Sequence, residues 1–319
     1  MKTFKSILFI FVFPLFTFAQ GVLPAHRYRV EKVPLYELPD VKASFGFSLR
    51  QISSSYIGYA VRVRRSSDNA RADIDFDLED QTLVTLNSTA TLVGSGSITT
   101  LSAFKGTATL FVEIWYNQSG DPNFNAVQTI NSRQPELRFN TAGSGNTKPS
   151  VYFNVNHWLE IKQPIENILD GGRLGSFILW TKPEQNKAQF SFGARFSDNW
   201  RWSFHINWSD GRVYFDAAER CCAGNRSFVN GANLNQFNTY TFIRGLTYKT
   251  ARVNSVNTSL NNSTAASVTK VGGEFWLGWN WQGNGGRYEG NLTEVSMFKT
   301  DLSEEEAGII EVNQIKFWN

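Results

Sequence analysis

The chain has 319 residues, with 31 basic and 28 acidic side chains and a net charge of +3. This charge is too small to indicate nucleic-acid binding, and the basic residues form no long run. The sequence contains 26 Phe, 10 Trp and 10 Tyr, together with many Thr, Val, Asn, Ser and Gly. This composition favours β-strands joined by turns, and an all-β domain can reach this length as one unit.

The first residues are typical of a secretory signal peptide. A basic start precedes the apolar stretch Ile7–Phe18, and Thr17 and Ala19 are the small residues expected before a cleavage site. The apolar stretch is shorter than the roughly 20 residues that span a bilayer. We therefore predict a signal peptide over residues 1–19, no transmembrane segment, and a protein exported to the periplasm or the extracellular space.

Two segments in the first half alternate between apolar and polar residues, as half-buried strands do: Tyr59–Arg64 and Ala72–Leu78. The second would place Asp73, Asp75 and Asp77 on one face. Carboxylates can hold Ca²⁺, but residues two apart on a strand lie about 7 Å from each other. A solvated strand face is therefore the favoured interpretation, and Ca²⁺ the alternative. No other metal or cofactor is predicted, because the three histidines lack metal-ligand spacing.

From residue 146 onward, short aromatic segments recur at the spacing of a β-sandwich. They are Gly175–Trp180, Ala188–Phe192, Trp200–His205, Val213–Phe215, Tyr240–Arg244, Glu274–Gly278 and Leu292–Phe298. The pattern of short strands ends there, and a helix is predicted to begin, because Ser303 can cap a helix and Glu306 follows three residues later. We predict an all-β sandwich over 146–319 with a short C-terminal helix, preceded by an extended lead-in over 20–44 and an N-terminal part over 45–145.

Two segments, in their order along the chain, resemble sequences of a known protein family. Ser48–Tyr56, continuing to Arg62–Asn69, precedes Trp115–Gly120, and this order resembles the start of the catalytic module of α-L-arabinofuranosidases of glycoside hydrolase family 54. The same pairing opens many secreted domains with a concanavalin-A-like (laminin-G-like) sandwich and no known activity. The resemblance covers residues 45–319 loosely and implies a concanavalin-A-like jelly-roll β-sandwich.

Two further segments carry the resemblance. Residues 216–225, with Asp216 and adjacent Cys221 and Cys222, are similar to the family's "DACCFDYGNAE", and residues 276–290 resemble its "ILGIGGDNSN…FYEG". In the family the adjacent cysteines form a vicinal disulfide beside the sugar pocket, and the resemblance implies the same bond here. Such a ring is strained, because neighbouring Cα atoms lie only about 3.8 Å apart. Two free thiols are the alternative, which an oxidising destination disfavours.

The carboxylates of the family are missing at the matching positions. Retaining glycosidases need two carboxylates about 5–5.5 Å apart. In the family the nucleophile is the Glu that ends the first of these segments and the general acid is the Asp of the second, but here the positions hold Ser227 and Gln282. Asp216, Glu219 and Glu289 are possible catalytic substitutes, although each is more simply interpreted as a loop or strand-end charge.

A possible sugar-binding surface remains at the matching pocket. Trp279 and Trp281 alternate there with Asn280, Gln282 and Asn284. Indole rings stack on the apolar faces of sugars and amides bind sugar hydroxyls, whereas the alternative is that these tryptophans fill the core. Because alternating strand residues share a face, Trp279 and Trp281 should be both inside or both outside.

These observations predict a secreted protein that binds a carbohydrate or a cell-surface glycan and lacks the family's hydrolytic activity. Two alternatives stay open. One is an active glycoside hydrolase of the α-L-arabinofuranosidase type, in which other carboxylates have taken over catalysis. The other is a structural or adhesion component of the cell envelope, in which the sandwich only contacts other proteins.

Overall fold

The chain folds as a β-sandwich with one C-terminal helix, which confirms the predicted fold class. In the computed structural model the described residues are 35–37, 43–77, 79, 82–169, 171–195, 200–220, 226–231, 233–263, 272–280 and 286–319. The predicted signal peptide therefore lies outside the described residues and stays a prediction. The described part of the chain from residue 35 onward belongs to one compact unit, and no helix in it is long and apolar enough to cross a membrane.

The strands are short and follow one another closely. The first nine are β1 (Ala43–Ser48), β2 (Val61–Arg65), β3 (Arg71–Ile74), β4 (Thr89–Leu92), β5 (Ile98–Thr100), β6 (Leu110–Trp115), β7 (Ala126–Val127), β8 (Glu136–Ala142) and β9 (Lys148–Phe153). The others are β10 (Leu159–Pro164), β11 (Gly175–Pro183), β12 (Gln189–Phe190), β13 (Phe192–Arg195), β14 (Trp200–His205), β15 (Arg212–Arg220), β16 (Ser227–Asn230), β17 (Asn238–Arg244), β18 (Lys249–Val253), β19 (Glu274–Leu277), β20 (Gly286–Arg287) and β21 (Gly290–Phe298). The helices are α1 (Leu101–Lys105), α2 (Ile165–Ile168) and α3 (Glu304–Trp318), with 3₁₀ turns at Leu35–Glu37, Pro122–Phe124, Asn131–Arg133 and Ser144–Asn146.

Two antiparallel layers face each other. One has the strand order β18-β17-β11-β21-β1 and the other has the order β16-β15-β14-β13-β19-β10. Aromatic rings from both layers meet between them. The ring centroids of Phe177 in β11 and Phe204 in β14 are 4.3 Å apart, and Phe242 in β17 lies 4.9 Å from Phe204. The aromatic strand segments of the sequence thus supply the core between the layers.

The N-terminal strands are continuous with both layers. Ladders link β5, β4, β3, β2, β6, β8 and β9 in that order. The last of them, β9, pairs with β21 of the first layer, while β7 connects β6 to β10 of the second layer. Hydrogen-bonded backbone therefore runs from residues 61–153 into both layers of the sandwich.

Helix α3 covers the outer face of the first layer. Its start is the predicted capping box: the Ser303 backbone N–H donates to Glu306 Oε2 at 2.8 Å, and the Glu306 N–H donates to Ser303 Oγ at 3.2 Å. Ile310 of the helix packs with Ile178 and Phe298 of the sheet. Strand β11 is consequently buried on both faces, which explains its nearly continuous apolar sequence.

The segments that carry the family resemblance contact each other. Gln118 Oε1 accepts a hydrogen bond from the Ile52 N–H at 2.8 Å, and Gln118 Nε2 donates to the carbonyl oxygens of Ser48 and Arg50 at 3.0 Å. Asn117 Oδ1 accepts from the Gly46 N–H at 2.8 Å, and both amides are buried. Trp115–Gly120 therefore holds β1 and the chain that follows it in place, which is a structural role.

The three aspartates after β2 do not share one strand face, because β3 ends at Ile74. Asp73 is buried, pairs with Arg62 at 2.8 Å and accepts a hydrogen bond from Tyr116 at 2.6 Å. A solvated face is thus wrong for Asp73. In the described part of the chain no three His, Cys, Asp or Glu residues are placed to hold a metal ion, and Ca²⁺ at Asp75 or Asp77 stays a prediction.

Candidate functional site

One buried carboxylate lies at the centre of a polar cluster in the second layer. Asp216, in β15, accepts from Arg201 Nε at 2.7 Å through Oδ2 and from Arg226 Nε at 2.8 Å through Oδ1. Its side chain is only 1% exposed. Burial alone would raise the pKa of the Asp216 carboxyl, but His205 and the charges of Arg226 and Arg201 hold that pKa well below its usual range.

His205, in β14, extends this network. Its Nδ1 lies 2.9 Å from the Gln189 carbonyl oxygen, so Nδ1 carries the proton, and Nε2 lies 2.9 Å from Ser203 Oγ. Burial lowers the pKa of His205 to about 4, so the ring is neutral at pH 7 and Nε2 accepts from Ser203. The Nε2 atom is also 3.1 Å from Asp216 Oδ2, a contact that becomes a hydrogen bond when the ring takes up a proton in acid.

Asn280, directly after Trp279, joins the same network. Its Nδ2 donates to Ser203 Oγ, and the side chain is buried. The residues Asp216, Arg201, Arg226, His205, Ser203 and Asn280 are called the Asp216 cluster below. Within the described part of the chain, two buried atoms of this cluster have no hydrogen-bond partner, namely Asn280 Oδ1 and Arg226 Nη2. Buried polar atoms normally have partners, so these two are available to a ligand.

A β-bulge shapes the strand that carries Asp216. The β14–β15 register shifts between Arg201 and Trp202, which pair with Glu219 and Ala217. The residue left over is Ala218, whose φ of 55° is in the left-handed region. This conformation costs a non-glycine residue about 1 kcal/mol or more, and such bulges are over-represented next to active sites. The bulge changes the direction of β15 at Ala218, three residues before Cys221 in the sequence.

Three tryptophans pack beside the Asp216 cluster and are called the tryptophan cluster below. Trp279 lies 5.0 Å from both Trp158 and Trp276, measured between ring centroids. All three are at least nine-tenths buried, and Phe190 packs against them. Because the Phe190 ring is also 5.2 Å from His205, it connects the two clusters into one region.

The structure places the possible catalytic carboxylates apart. Asp216 is in the cluster, but the described contacts of Glu289 are with Lys187 Nζ at 2.9 Å and with Gln185. Glu219 lies in β15, three residues beyond Asp216, and its side chain is outside the described part. Among the described residues, no hydrogen bond or ion pair brings a second carboxylate to Asp216. Ser227, at the family's nucleophile position, is buried and donates to Asn262 Oδ1 at 3.0 Å.

Of the predicted carbohydrate-binding residues, Trp279 and Asn280 are described. Trp279 is 4% exposed, so its ring offers little stacking surface, while Asn280 has its unpartnered oxygen. Trp281, Gln282 and Asn284 lie outside the described residues, and their roles stay predictions.

Cys221 and Cys222 also lie outside the described residues. We expect the exported protein to contain a disulfide between them. Intact-mass measurement after alkylation without reductant should show no modified thiol, and prior reduction should allow two alkylations per chain as the control. Two alkylated thiols without reduction would contradict this prediction.

Sequence reasoning missed several residues of the site. Arg201, Arg226 and Arg287 come from separate parts of the sequence, and only the fold brings them to Asp216 or to the tryptophans. The local signal for Arg201 was its position in an aromatic strand between two tryptophans, where a charged side chain needs a buried partner. Such a signal indicates that a partner exists but not which residue it is.

A separate groove of about 460 Å³ is a weaker candidate site. Its walls include Asn235, Gln236, Asn238, Asn254 and Trp180. The Asn254 amide donates to Asn238 Oδ1 at 2.9 Å, and the Asn238 amide donates to the Gln236 carbonyl at 2.9 Å. Trp180 is only 2% exposed. The amides are therefore largely occupied with one another, and the groove offers no open indole face.

The fold is shared with solved arabinofuranosidase structures. A GH54 α-L-arabinofuranosidase soaked with a cyclic sulfate inhibitor aligns with a TM-score of 0.61 and 13% identity, over 88% of this chain and 64% of that chain. An arabinofuranosidase complexed with arabinofuranosyl-α-1,2-xylobiose aligns with the same TM-score and coverage at 15% identity. This chain thus spans less than two thirds of their length. No family model matches the chain, and no curated protein matches it significantly. At these identities the similarity establishes the fold alone.

Proposed function

We propose that this is a secreted carbohydrate-binding protein whose site lies on the Asp216 cluster and the adjoining tryptophan cluster, and that it does not act as a glycosidase. The observation that carries the proposal is the pairing of the Asp216 carboxylate, which is the described carboxylate of the Asp216 cluster. Both oxygens of Asp216 are already bound by arginine side chains. Beside it, Asn280 Oδ1 and Arg226 Nη2 have no partner in the described part of the chain, which suits binding of hydroxyl groups.

The electrostatics of Asp216 argue against a catalytic role. A general acid for glycoside cleavage needs a raised pKa, so that it is protonated at working pH. The pKa of Asp216 is instead held well below its usual range. A nucleophile would need a free oxygen and a second carboxylate about 5–5.5 Å away. Asp216 has two paired oxygens, and its described contacts include no second carboxylate.

Two readouts on the purified exported protein test this proposal. We expect binding to at least one plant or microbial polysaccharide in a glycan array, and no turnover of aryl α-L-arabinofuranosides. Loss of general acid catalysis alone costs roughly 10²–10⁴-fold in rate. Turnover on the order of 1 s⁻¹, within the usual enzyme range, would instead favour the active hydrolase. Failure to bind any glycan would favour the structural or adhesion role.

A pair of asparagine variants tests the position of the site. Asn280→Ala removes the unpartnered oxygen and should weaken glycan binding several-fold, since one hydrogen bond contributes about 1 kcal/mol. Asn123→Ala, in an exposed 3₁₀ turn at Pro122–Phe124, is the matched control and should bind as the wild type does. Thermal unfolding of both variants separates lost binding from lost folding. If a folded Asn280→Ala protein binds the glycan as tightly as the wild type does, the binding site lies elsewhere. The groove that Asn238 and Asn254 line is then the next candidate.

A further inference from the structure

Two arginines converge on the tryptophan cluster. The guanidinium carbon of Arg287 lies 4.1 Å from the ring centroid of Trp279 and 4.9 Å from that of Trp158. The guanidinium carbon of Arg133 lies 5.1 Å from the Trp158 centroid. Arg287 is in β20 and Arg133 ends the 3₁₀ turn Asn131–Arg133. Distant parts of the sequence therefore place two positive charges on the same indole.

Neither arginine has a carboxylate partner among the described residues. Arg133 Nη1 donates to Asn156 Oδ1 at 3.2 Å, and Arg287 Nη1 donates to the Val155 carbonyl oxygen at 2.8 Å. The nearby carboxylate of Glu160 accepts from Trp158 Nε1 at 2.8 Å and pairs with a lysine. Burial and the charge of Arg133 lower the pKa of Arg287, as expected for two cations placed over the same indole.

The tryptophan cluster and Arg287 together contain three buried hydrogen-bond donors without partners in the described part of the chain. They are Trp276 Nε1, Trp279 Nε1 and Arg287 Nε. The two indoles are 7% and 4% exposed, so bulk water does not replace the missing partners. All three atoms can only donate. Two uncompensated cations and three unused donors together call for a ligand that is anionic and rich in acceptor oxygens.

We propose that the ligand is an acidic saccharide, whose sugar carboxylate binds between Arg133 and Arg287 over the tryptophan cluster. This inference rests on the proposed function and specifies its ligand class. Planar guanidinium groups pair well with carboxylates, and these charge-assisted hydrogen bonds are about twice as strong as neutral ones. A neutral saccharide would leave the repulsion between the two arginines uncompensated, so the site discriminates by charge.

A matched pair of probes tests the inference. Binding of a galacturonate oligosaccharide is compared with binding of its methyl-esterified form by isothermal titration calorimetry. We expect the acid to bind roughly tenfold or more tightly than the ester, and added salt to reduce the difference. Equal affinities of the acid and the ester would overturn the acidic-saccharide inference but leave the proposed function intact. If neither form nor any glycan on the array binds, both proposals fail.

Variants of the two arginines test whether their side chains cause the preference for the acid over the ester. Arg287→Gln and Arg133→Gln should each reduce the preference for the acid roughly tenfold, and Arg287→Lys should restore part of it. Arg65→Gln is the control, because Arg65 also lies over an aromatic ring, that of Phe104 at 4.7 Å, but is paired with Asp68. An unchanged preference in folded Arg287→Gln and Arg133→Gln proteins would refute the inference. Sodium acetate that competes as well as the sugar acid would show a simple anion site and would refute it too.

Discussion

Replacing Asp216 with alanine is expected to lower the free energy of unfolding by about 3–5 kcal/mol. The substitution removes the only described carboxylate between Arg201 and Arg226, whose side chains are 6% and 18% exposed. Two guanidinium groups would then remain largely shielded from water, and each would lose a charge-assisted hydrogen bond. Urea denaturation of the wild type and the variant at neutral pH measures the difference.

Asp210→Ala is the matched control for this prediction. Asp210 precedes the same strand, its side chain is 42% exposed, and its carboxylate lies 4.0 Å from the Arg212 guanidinium. It also accepts hydrogen bonds from the Arg212 backbone N–H at 3.0 Å and from the Tyr214 hydroxyl at 2.6 Å. Exposed pairs of this kind contribute about 1 kcal/mol or less. If the Asp216 variant loses no more stability than the Asp210 variant, the two arginines are compensated by something other than Asp216. The binding site would then need a different electrostatic description.

Local patterns predicted the fold well because most of its elements are specified by nearby residues. Trp200–His205 is predicted and observed with the same bounds, and the capping box at Ser303 starts α3 as expected. One predicted strand was too long, because its apolar-polar alternation continues beyond the residues that pair with another strand. Strand β3 ends at Ile74, although the alternation continues to Leu78. Strand ends depend on the partner strand, and a single segment carries no information about its partner.

The site was predicted less completely, for a related reason. The resemblance selected Asp216 and Asn280, and both belong to the observed cluster. It could not select Arg201 or Arg287, because Arg201 pairs with a residue of the neighbouring strand β15 and Arg287 lies over rings that only the fold brings together. It also could not decide between a stacking and a core role for Trp279. That decision depends on Trp158, which is far away in sequence and covers the ring.

The protein is expected to lose stability between about pH 6.5 and pH 4 through His205. In the unfolded chain a histidine takes up a proton near its usual pKa of 6.5, whereas burial lowers the pKa of His205 in the folded protein to about 4. Between these values the unfolded state binds more protons, so stability falls as the pH falls. A difference of this size corresponds to about 3 kcal/mol at acidic pH.

His205→Gln tests this origin, because glutamine keeps polar atoms in the site and does not titrate. Unfolding free energies at about pH 7 and about pH 4.5 should differ much less in the variant than in the wild type. His157→Gln is the comparison, since burial also lowers the pKa of His157 but this histidine is not in the Asp216 cluster.

The titration of Asp216 does not contribute to the pH dependence measured between about pH 7 and about pH 4.5. Its pKa is lowered from 3.8, so the stability that it contributes is lost only below that pH. An equally steep pH dependence in His205→Gln and the wild type would mean that folding does not lower the pKa of His205, and would contradict the prediction. A wild type that loses less stability than the variant on acidification would mean that folding raises this pKa and that the ring is protonated in the folded protein. The contact of Nε2 with Asp216 would then be a permanent ion pair, and the cluster would present one more positive charge to its ligand at neutral pH.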